Sequence, residues 1–433
     1  MDHCQLETRT LTTGADLHRF ASELFPICRS ITGDGVRETL SRIGALIPIQ
    51  VTDVPTGTRT FDWTVPREWN IRDAYIKDPS GQKIVEFKDS SLHVMSYSTP
   101  VKGMVSLQEL KQHLHTLPER PDWIPYRTSY YKEDWGFCLR HSEMESLQDG
   151  LYEVCIDSTL KDGSLTYGEC LIAGQSADEV LISTHVCHPA LANDNLSGMV
   201  IATALAQHLS SLKLRYSYRF VFIPGTIGAI TWLARNQSRT GKIKHGLVLT
   251  GIGNRAPFHY KKSRRGDAEI DSAAGLVLRS GSEPYEILDF TPYGYDERQY
   301  CSPGFNLPVG CLMRSVWGTF PEYHTSADNL DFIAPDTLEG SLKLCASILD
   351  ILEHNETLLN TNPYCEPQLG KRNLYRSTGG ASISDEINAR LWVLNFSDGQ
   401  HSLLDIAERS GLSFKLINQA AADLKTGGLL IAA

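Results

Sequence analysis

Ser183-Thr-His-Val-Cys-His-Pro-Ala-Leu-Ala-Asn-Asp-Asn-Leu-Ser-Gly198 is the stretch that decides how this 433-residue chain is read. The run before it, Glu179 to Ser183, is short and apolar and reads as a buried parallel strand. The run after it, Met199 to Leu209, has helical apolar spacing. His185, His188 and Asp194 therefore share a loop at the C-terminal end of a strand, the place where ligands bind in open α/β sheets. A single loop histidine would read as a solvated residue. Two imidazoles and a carboxylate together suit a borderline cation such as zinc. Cys187, between the two histidines, is expected to face the core, since no feature in view would activate its thiol.

A second stretch lies far downstream: Phe320-Pro-Glu-Tyr-His-Thr-Ser-Ala-Asp-Asn-Leu-Asp-Phe-Ile333, after the apolar strand Val309 to Met313. Together the two stretches resemble the zinc aminopeptidase superfamily, which also holds glutamate carboxypeptidases and glutaminyl cyclases. In that superfamily a His comes first, then a bridging Asp followed by Asn, and a Tyr-His-Thr-x-x-Asp motif closes the site. His185, Asp194 and His324 match the three ligand positions. Pro224-Gly-Thr-Ile-Gly228 falls where the superfamily has Glu-Glu-x-Gly. Tyr293-Gly-Tyr-Asp-Glu-Arg-Gln-Tyr-Cys-Ser-Pro-Gly304 is similar to its Ser-Asp-x-x-Pro-Phe stretch. The resemblance covers roughly residues 126 to 358 and takes in the first helix. The whole chain is more similar still to a bacterial branch of aminopeptidase-like proteins that carry a C-terminal winged helix. The resemblance implies an α/β fold: a zinc-aminopeptidase-like sheet flanked by helices, a small β-rich insertion and a winged-helix domain. It also implies a zinc ion on His185, Asp194 and His324.

The departures from that pattern are specific. The superfamily's general base is a Glu, and Gly225 stands in its place. The next position, a metal ligand, is Thr226. The Asp expected after the following strand falls near Thr250 or Gly251, where there is no carboxylate. A paired site holds two metals about 3.5–4 Å apart, and here each half has lost a carboxylate. One ion on three protein ligands with an open position is expected instead, the usual catalytic zinc arrangement. The proton must then pass to another group. Glu322, Asp296 with its neighbour Glu297, and His188 are the candidates; Glu322 could instead orient a ligand imidazole. Arg127 or Arg298 is placed to clamp a substrate carboxylate, and Tyr323, beside His324, is grouped with them in substrate binding.

The net charge of -10 argues against a nucleic-acid binder as a whole. No apolar run reaches the length of a membrane span. The polar, acidic start is unlike a secretory signal. Ten cysteines lie singly, with no Cys-x-x-Cys pair, which fits reduced thiols and a cytoplasmic location.

The length predicts two or three domains. Residues 1–48 and 115–360 are assigned to an aminopeptidase-like domain, 49–114 to a β-rich insertion that leans over the site, and 361–433 to a linker and winged helix. Between the two first helices, Arg29 serves in capping or packing, or reaches an anion. Ile124-Pro-Tyr-Arg-Thr-Ser-Tyr-Tyr131 either lines a pocket or forms a packing seam. From Val154 onward, alternating strands and helices predict a parallel sheet. The cations of Lys261-Lys-Ser-Arg-Arg265 read as a solvated face, or as holding a carboxylate or phosphate of a substrate. In the tail, the turn Arg409-Ser-Gly-Leu-Ser413 fits a helix-turn-helix. The helix after it offers only Lys415 and Lys425, so no DNA binding is expected. A homo-oligomer or a protein partner is expected there.

Three functions stay open at this stage: a zinc hydrolase of an amide or peptide-like bond in a small or short peptide-like substrate, a catalytically silent scaffold, or metal-dependent acyl transfer or cyclisation in a biosynthetic pathway. Fold analogy does not choose among them.

Overall fold

The computed structural model describes residues 12–374 and 384–433. The polar start and the Gly379-Gly380 part of the linker lie outside them. An eight-stranded sheet organises the larger of two compact units, Leu11–Ala268 with Pro284–Lys343. Its order is Gln50–Pro55, Ser164–Ile172, Ser217–Ile223, Glu179–His185, Ile243–Leu249, Val309–Met313, Phe258–Lys261 and Tyr285–Leu288.

The four strands from Ser217–Ile223 to Val309–Met313 run parallel. Ser164–Ile172 runs antiparallel to Ser217–Ile223, and Phe258–Lys261 antiparallel to Val309–Met313. The sheet is therefore mixed, which corrects the purely parallel reading. The reason lies in the connections. Ala173 to Asp178 is too short for a parallel crossover, which takes about a dozen residues or more.

Glu179–His185 and Ser217–Ile223 are buried at every position. That explains their largely apolar texture, since both faces of a central strand are covered. The charged exception in the second of them is Arg219. Its Nε and Nη2 donate to Glu179 at 2.6 and 2.8 Å, and its Nη1 donates to Glu169 at 3.0 Å. The Trp232 indole completes the Glu169 carboxylate at 2.9 Å. A buried charge is tolerated only when paired and hydrogen-bonded in this way. The helix Ser197–Leu209 packs across the central strands and against Gly14–Leu24. Ile227–Asn236 follows the Gly225 turn.

A four-stranded antiparallel sheet lies in the β-rich region, in the order Lys83–Glu86, Glu68–Lys77, Leu151–Lys161, Val101–Ser106. Tyr152, Val154 and Ile156 alternate inward along one strand and meet Ala74, Ile76 and Val85. Its third strand comes from beyond residue 114, while Gln50–Pro55 joins the main sheet. Arg59–Thr60 and Trp63–Thr64 form a separate small hairpin.

The second unit comprises Glu269–Glu283 and Leu344–Ala433 among the described residues. Helices Asp385–Phe396, Leu403–Ser410 and Phe414–Thr426 join a three-stranded antiparallel sheet. Thr357–Asn360 is the middle strand of that sheet. The turn read from sequence is built as its residues dictate. Gly411 takes φ 69°, and Ser413 caps the next helix through the Leu416 N–H at 3.3 Å. The helix Glu269–Ser280 belongs to this unit: Arg279 pairs with Glu408 at 2.5 Å, and Asn355 donates to Glu269 at 2.8 Å. No helix among the described residues is long and apolar enough to cross a membrane.

Deleting residues 361–433 strips Thr357–Asn360 of both strand partners and removes the helix Leu403–Ser410 that packs on the helix Glu269–Ser280. The truncated chain is expected to aggregate. Sedimentation velocity of both forms is the check; a monodisperse truncated chain would contradict this packing.

Candidate metal centre

His185 is the last residue of its strand, and Asp194 lies in the distorted turn Ala192–Leu196 that opens the helix Ser197–Leu209. The two stretches quoted above meet at the Asp194 carboxylate. Oδ1 is 2.8 Å from His185 Nε2 and 3.4 Å from His188 Nδ1. Oδ2 is 3.1 Å from His324 Nε2. His185 Nε2 and His188 Nδ1 are 3.1 Å apart. The donor atoms of His185, His188 and Asp194 all lie within 4.8 Å of one another.

Each ligand is braced by buried polar groups. Asn195 donates from Nδ2 to Thr184 Oγ1 at 2.8 Å and accepts at Oδ1 from the Gly198 and Gly251 N–H groups, both at 3.2 Å. Asp328 accepts from the Asn193 and Asp194 N–H groups at 2.6 and 2.9 Å. It thereby ties the downstream motif to the first. Burial beside Asp194 pushes the Asp328 carboxyl up to about 8, against those two donors. Behind His188, the fully buried Arg29 donates from Nε to the His188 carbonyl at 2.9 Å and from Nη1 to Leu24 O at 2.7 Å. Burial pulls its guanidinium down to about 10. His324 stands at φ 55°, a left-handed conformation that costs about 1–3 kcal/mol for a residue with a side chain. The neighbouring segment holds it there. Tyr126 N–H donates to His324 O at 2.7 Å, and Ser326 N–H donates to Ile124 O at 2.8 Å.

Electrostatics makes this cluster receptive to a cation. Burial lowers His185 to about 4 and lowers His324 as well, so both imidazoles stay neutral. Burial opposes ionisation of Asp194, but the facing His188, His185 and His324 outweigh it and hold the carboxyl well below its usual range. Neutral imidazole nitrogens and an ionised carboxylate are the forms that ligate a metal. The donor set fits one divalent ion of the zinc type.

The position of one absent carboxylate, at Gly225, is filled. A Cβ on Gly225 would lie 2.5 Å from Tyr295 Cε1 and 2.7 Å from its hydroxyl. The Tyr295 ring stacks on His185 with centroids 3.9 Å apart. Its main chain is fixed at both ends: the N–H donates to Glu297 at 3.0 Å, and the carbonyl accepts from Arg298 Nε at 3.3 Å. Glu297 in turn meets Lys261 at 2.8 Å, both side chains being buried. Lys261 also donates to Tyr293 O at 2.8 Å and lies against the Phe290 and Trp317 rings. This corrects the solvated-face reading for Lys261. Lys262, Arg264 and Arg265 do lie at the surface.

The remaining expected residues are distributed as follows. Tyr323 stacks on His324 at 3.9 Å. Arg127 is exposed, and its charge acts on His324. Arg298 serves the Tyr295 loop. Asp296 is 0 % exposed and neither of its carboxylate oxygens has a hydrogen-bond partner. Burial beside Glu297 raises it well above the usual carboxylate range. Glu322 takes part in none of the cluster's hydrogen bonds through its side chain; its carbonyl accepts from Thr325. Cys187 faces the core, where burial pushes its thiol up to about 12. Sequence reasoning left Tyr295 and Asp328 without roles, although both lay in stretches already quoted.

Comparison with known proteins places this geometry. Residues 18–355 match the domain of unknown function DUF4910, and residues 356–432 match a winged helix-turn-helix family. A Clostridium acetobutylicum protein, named for polysaccharide biosynthesis and an aminopeptidase-like domain, is 53% identical over 411 residues, 94% of each chain. The crystal structure of a C. acetobutylicum protein named as a peptidase is 52% identical with a TM-score of 0.92, covering 97% of this chain and 96% of that one. A zinc aminopeptidase from Bacillus subtilis is similar at TM-score 0.57 and 12% identity, covering 79% of this chain and 95% of its own. A peptidase M28 precursor from Shewanella amazonensis is similar at TM-score 0.56 and 14% identity, covering 81% and 94%. The last two show a shared aminopeptidase fold.

Restoring the glutamate is expected to fail while Tyr295 is present. Gly225→Glu should destabilise the chain by about 1–3 kcal/mol, the usual range for overpacking. In Gly225→Glu/Tyr295→Ala the two effects should not add, leaving a coupling of about 1 kcal/mol or more between the sites. Urea denaturation of the four forms reads this directly, and strict additivity would refute the steric exchange.

Proposed function

The chain belongs to the DUF4910 family, with a winged helix-turn-helix behind it, and from that premise we propose that it is a zinc-dependent hydrolase that cleaves an amide bond. The observation that carries this reading is the convergence of three imidazoles on one buried, ionised carboxylate. An ion of that kind supplies a Lewis acid and lowers the pKa of a bound water. In this reading His185, Asp194 and His324 hold it. His188, whose Nδ1 lies inside the cluster and whose ring rests edge-on against Tyr126 at 5.2 Å, takes and returns the proton. Tyr126 and Tyr323 pack against the His324 ring, one edge-on and one stacked, and fix its orientation. Arg127, exposed near His324, orients a negatively charged part of the substrate.

The fold shared with zinc aminopeptidases supports the hydrolase reading. The name of the Clostridium relative supports a biosynthetic substrate over protein turnover. In the tail, Lys425 is engaged by Glu356, which supports a role for the winged helix in protein association rather than on DNA.

One zinc per chain is expected after purification without added metal, measured by elemental analysis. His324→Ala should lose most of it. Two equivalents, or none under zinc-replete conditions, would overturn the assignment. Turnover of leucine and alanine anilides should be weak, since a carboxylate base contributes about 10²–10⁴ in rate and position 225 has none. Efficient turnover in a steady-state assay would show that another group replaces it fully.

A further inference from the structure

The three histidines of the centre are not held in the same way. A metal-facing imidazole is ordinarily oriented by a hydrogen bond at its other nitrogen. His185 has a neighbour there: Asn195 Nδ2 lies 3.2 Å from its Nδ1. Among the described residues, no hydrogen-bond partner meets Nε2 of His188 or Nδ1 of His324. What those two rings share is Tyr126. It stands edge-on to His188 at 5.2 Å and to His324 at 5.0 Å, a geometry that aromatic rings prefer over a face-to-face stack. Its N–H also donates to the His324 carbonyl at 2.7 Å.

The Tyr126 ring is set in turn from its far end. Its hydroxyl is 2.7 Å from that of Tyr130. Tyr130 also hydrogen-bonds Ser30, whose hydroxyl is 2.7 Å from that of Ser96. Tyr126, Ser30 and Ser96 are all buried. A buried hydroxyl is costly to leave without a partner, so each member of such a string fixes the rotation of the next. Tyr97 meets the Tyr130 ring edge-on at 5.3 Å. Tyr97 is itself immobilised: its hydroxyl donates to Arg67 O at 2.9 Å and lies 2.5 Å from Thr32 Oγ1. Main-chain bonds bind Ser96 to the same segment. Its N–H donates to Arg127 O, and its carbonyl accepts from the Ser129 N–H, both at 2.9 Å. The string therefore runs from the turn after the first helix and from the β-rich region to the two histidines that no hydrogen bond orients from behind.

We propose that Tyr130 is a positioning residue: through the Tyr126 hydroxyl it sets the orientation of the His188 and His324 rings together. The consequence for metal and proton rests on the hydrolase reading, in which His324 is a ligand and His188 carries the proton. These histidines come from two distant stretches, and a brace common to both keeps their rings in one fixed relation.

The test uses the full chain with isotope-labelled histidine rings. In the metal-free chain, Tyr130→Phe and Tyr126→Phe should each shift the ring NMR signals of His188 and His324. The signals of His245 should stay, since it pairs with Val180, at the opposite end of the strand that His185 closes. Zinc affinity, read by competition with a chelating indicator, should fall about tenfold in each variant, the usual effect of losing an outer partner of a ligand. The visible absorption band of the cobalt(II)-loaded chain should change shape. The double variant should be no weaker than either single one, because both remove the same contact. Tyr152→Phe is the structural control. It removes a buried hydroxyl that donates to Gln148 O at 2.7 Å in a different cluster, and should lower the thermal midpoint alone. Histidine signals, zinc affinity and cobalt band unchanged in both phenylalanine variants at positions 126 and 130 would overturn the proposal, as would losses that add in the double variant. Shifted histidine signals in a chain that takes up no zinc would support the brace and sink the hydrolase reading. Zinc bound as tightly by both variants as by the native chain would sink the brace alone.

Discussion

Asp194 is only 4 % exposed and remains ionised, and the rest of the centre is built around that charge. An isolated carboxylate in such a place would take up a proton, because removing an ion from water is costly. Here three imidazoles from two distant stretches face it. Burial lowers both His185 and His324, which favours the neutral form of each imidazole. The charge still lacking is that of a cation. The braces share that logic: Asn195, Asp328 and Arg29 hold the backbone that carries His188 and Asp194 and the turn beside them.

The lost carboxylates fit the same frame. In the superfamily pattern an acidic group at position 225 would be the general base and one at position 226 a metal ligand. In this chain the Tyr295 ring occupies the space a side chain at 225 would enter, and it also packs on His185. The vacated acidic position is therefore a packed one. The buried Lys261–Glu297 pair anchors the loop that delivers Tyr295. A buried pair of this kind adds little net stability, since desolvation offsets its attraction. What it does supply here is a fixed loop conformation over the ligand histidine.

The division into two units gives the surface a similar reading. The larger unit carries the centre, with His185 at the end of a strand of the mixed sheet. The smaller unit is a winged helix that borrows Thr357–Asn360 and the helix Glu269–Ser280 from earlier in the chain. Its sheet and helix faces are thus completed by segments that no local pattern in the tail announces.

The sequence by itself determined what depends on local pattern. The apolar runs of the central strands, the helix Ser197–Leu209, the Gly411 and Ser413 punctuation of the tail, and the grouping of His185, His188 and Asp194 were all legible, because strand burial, helical period and capping act over a few residues. The likeness of the two motifs also placed His324 beside them. Tertiary structure alone decided the rest. Strand direction at the sheet edges followed from connection lengths taken together with pairing. Lys261 reads as one cation in a basic run, yet its partner Glu297 lies 36 positions away and encloses it. Tyr295 and Gly225 are far apart in the chain, and only the fold brings ring and backbone within contact. Asp328 gained its role by reaching two N–H groups on the opposite motif. These are contacts between segments whose separation in sequence carries no period, so their energies exist only once the sheet has brought the loops together.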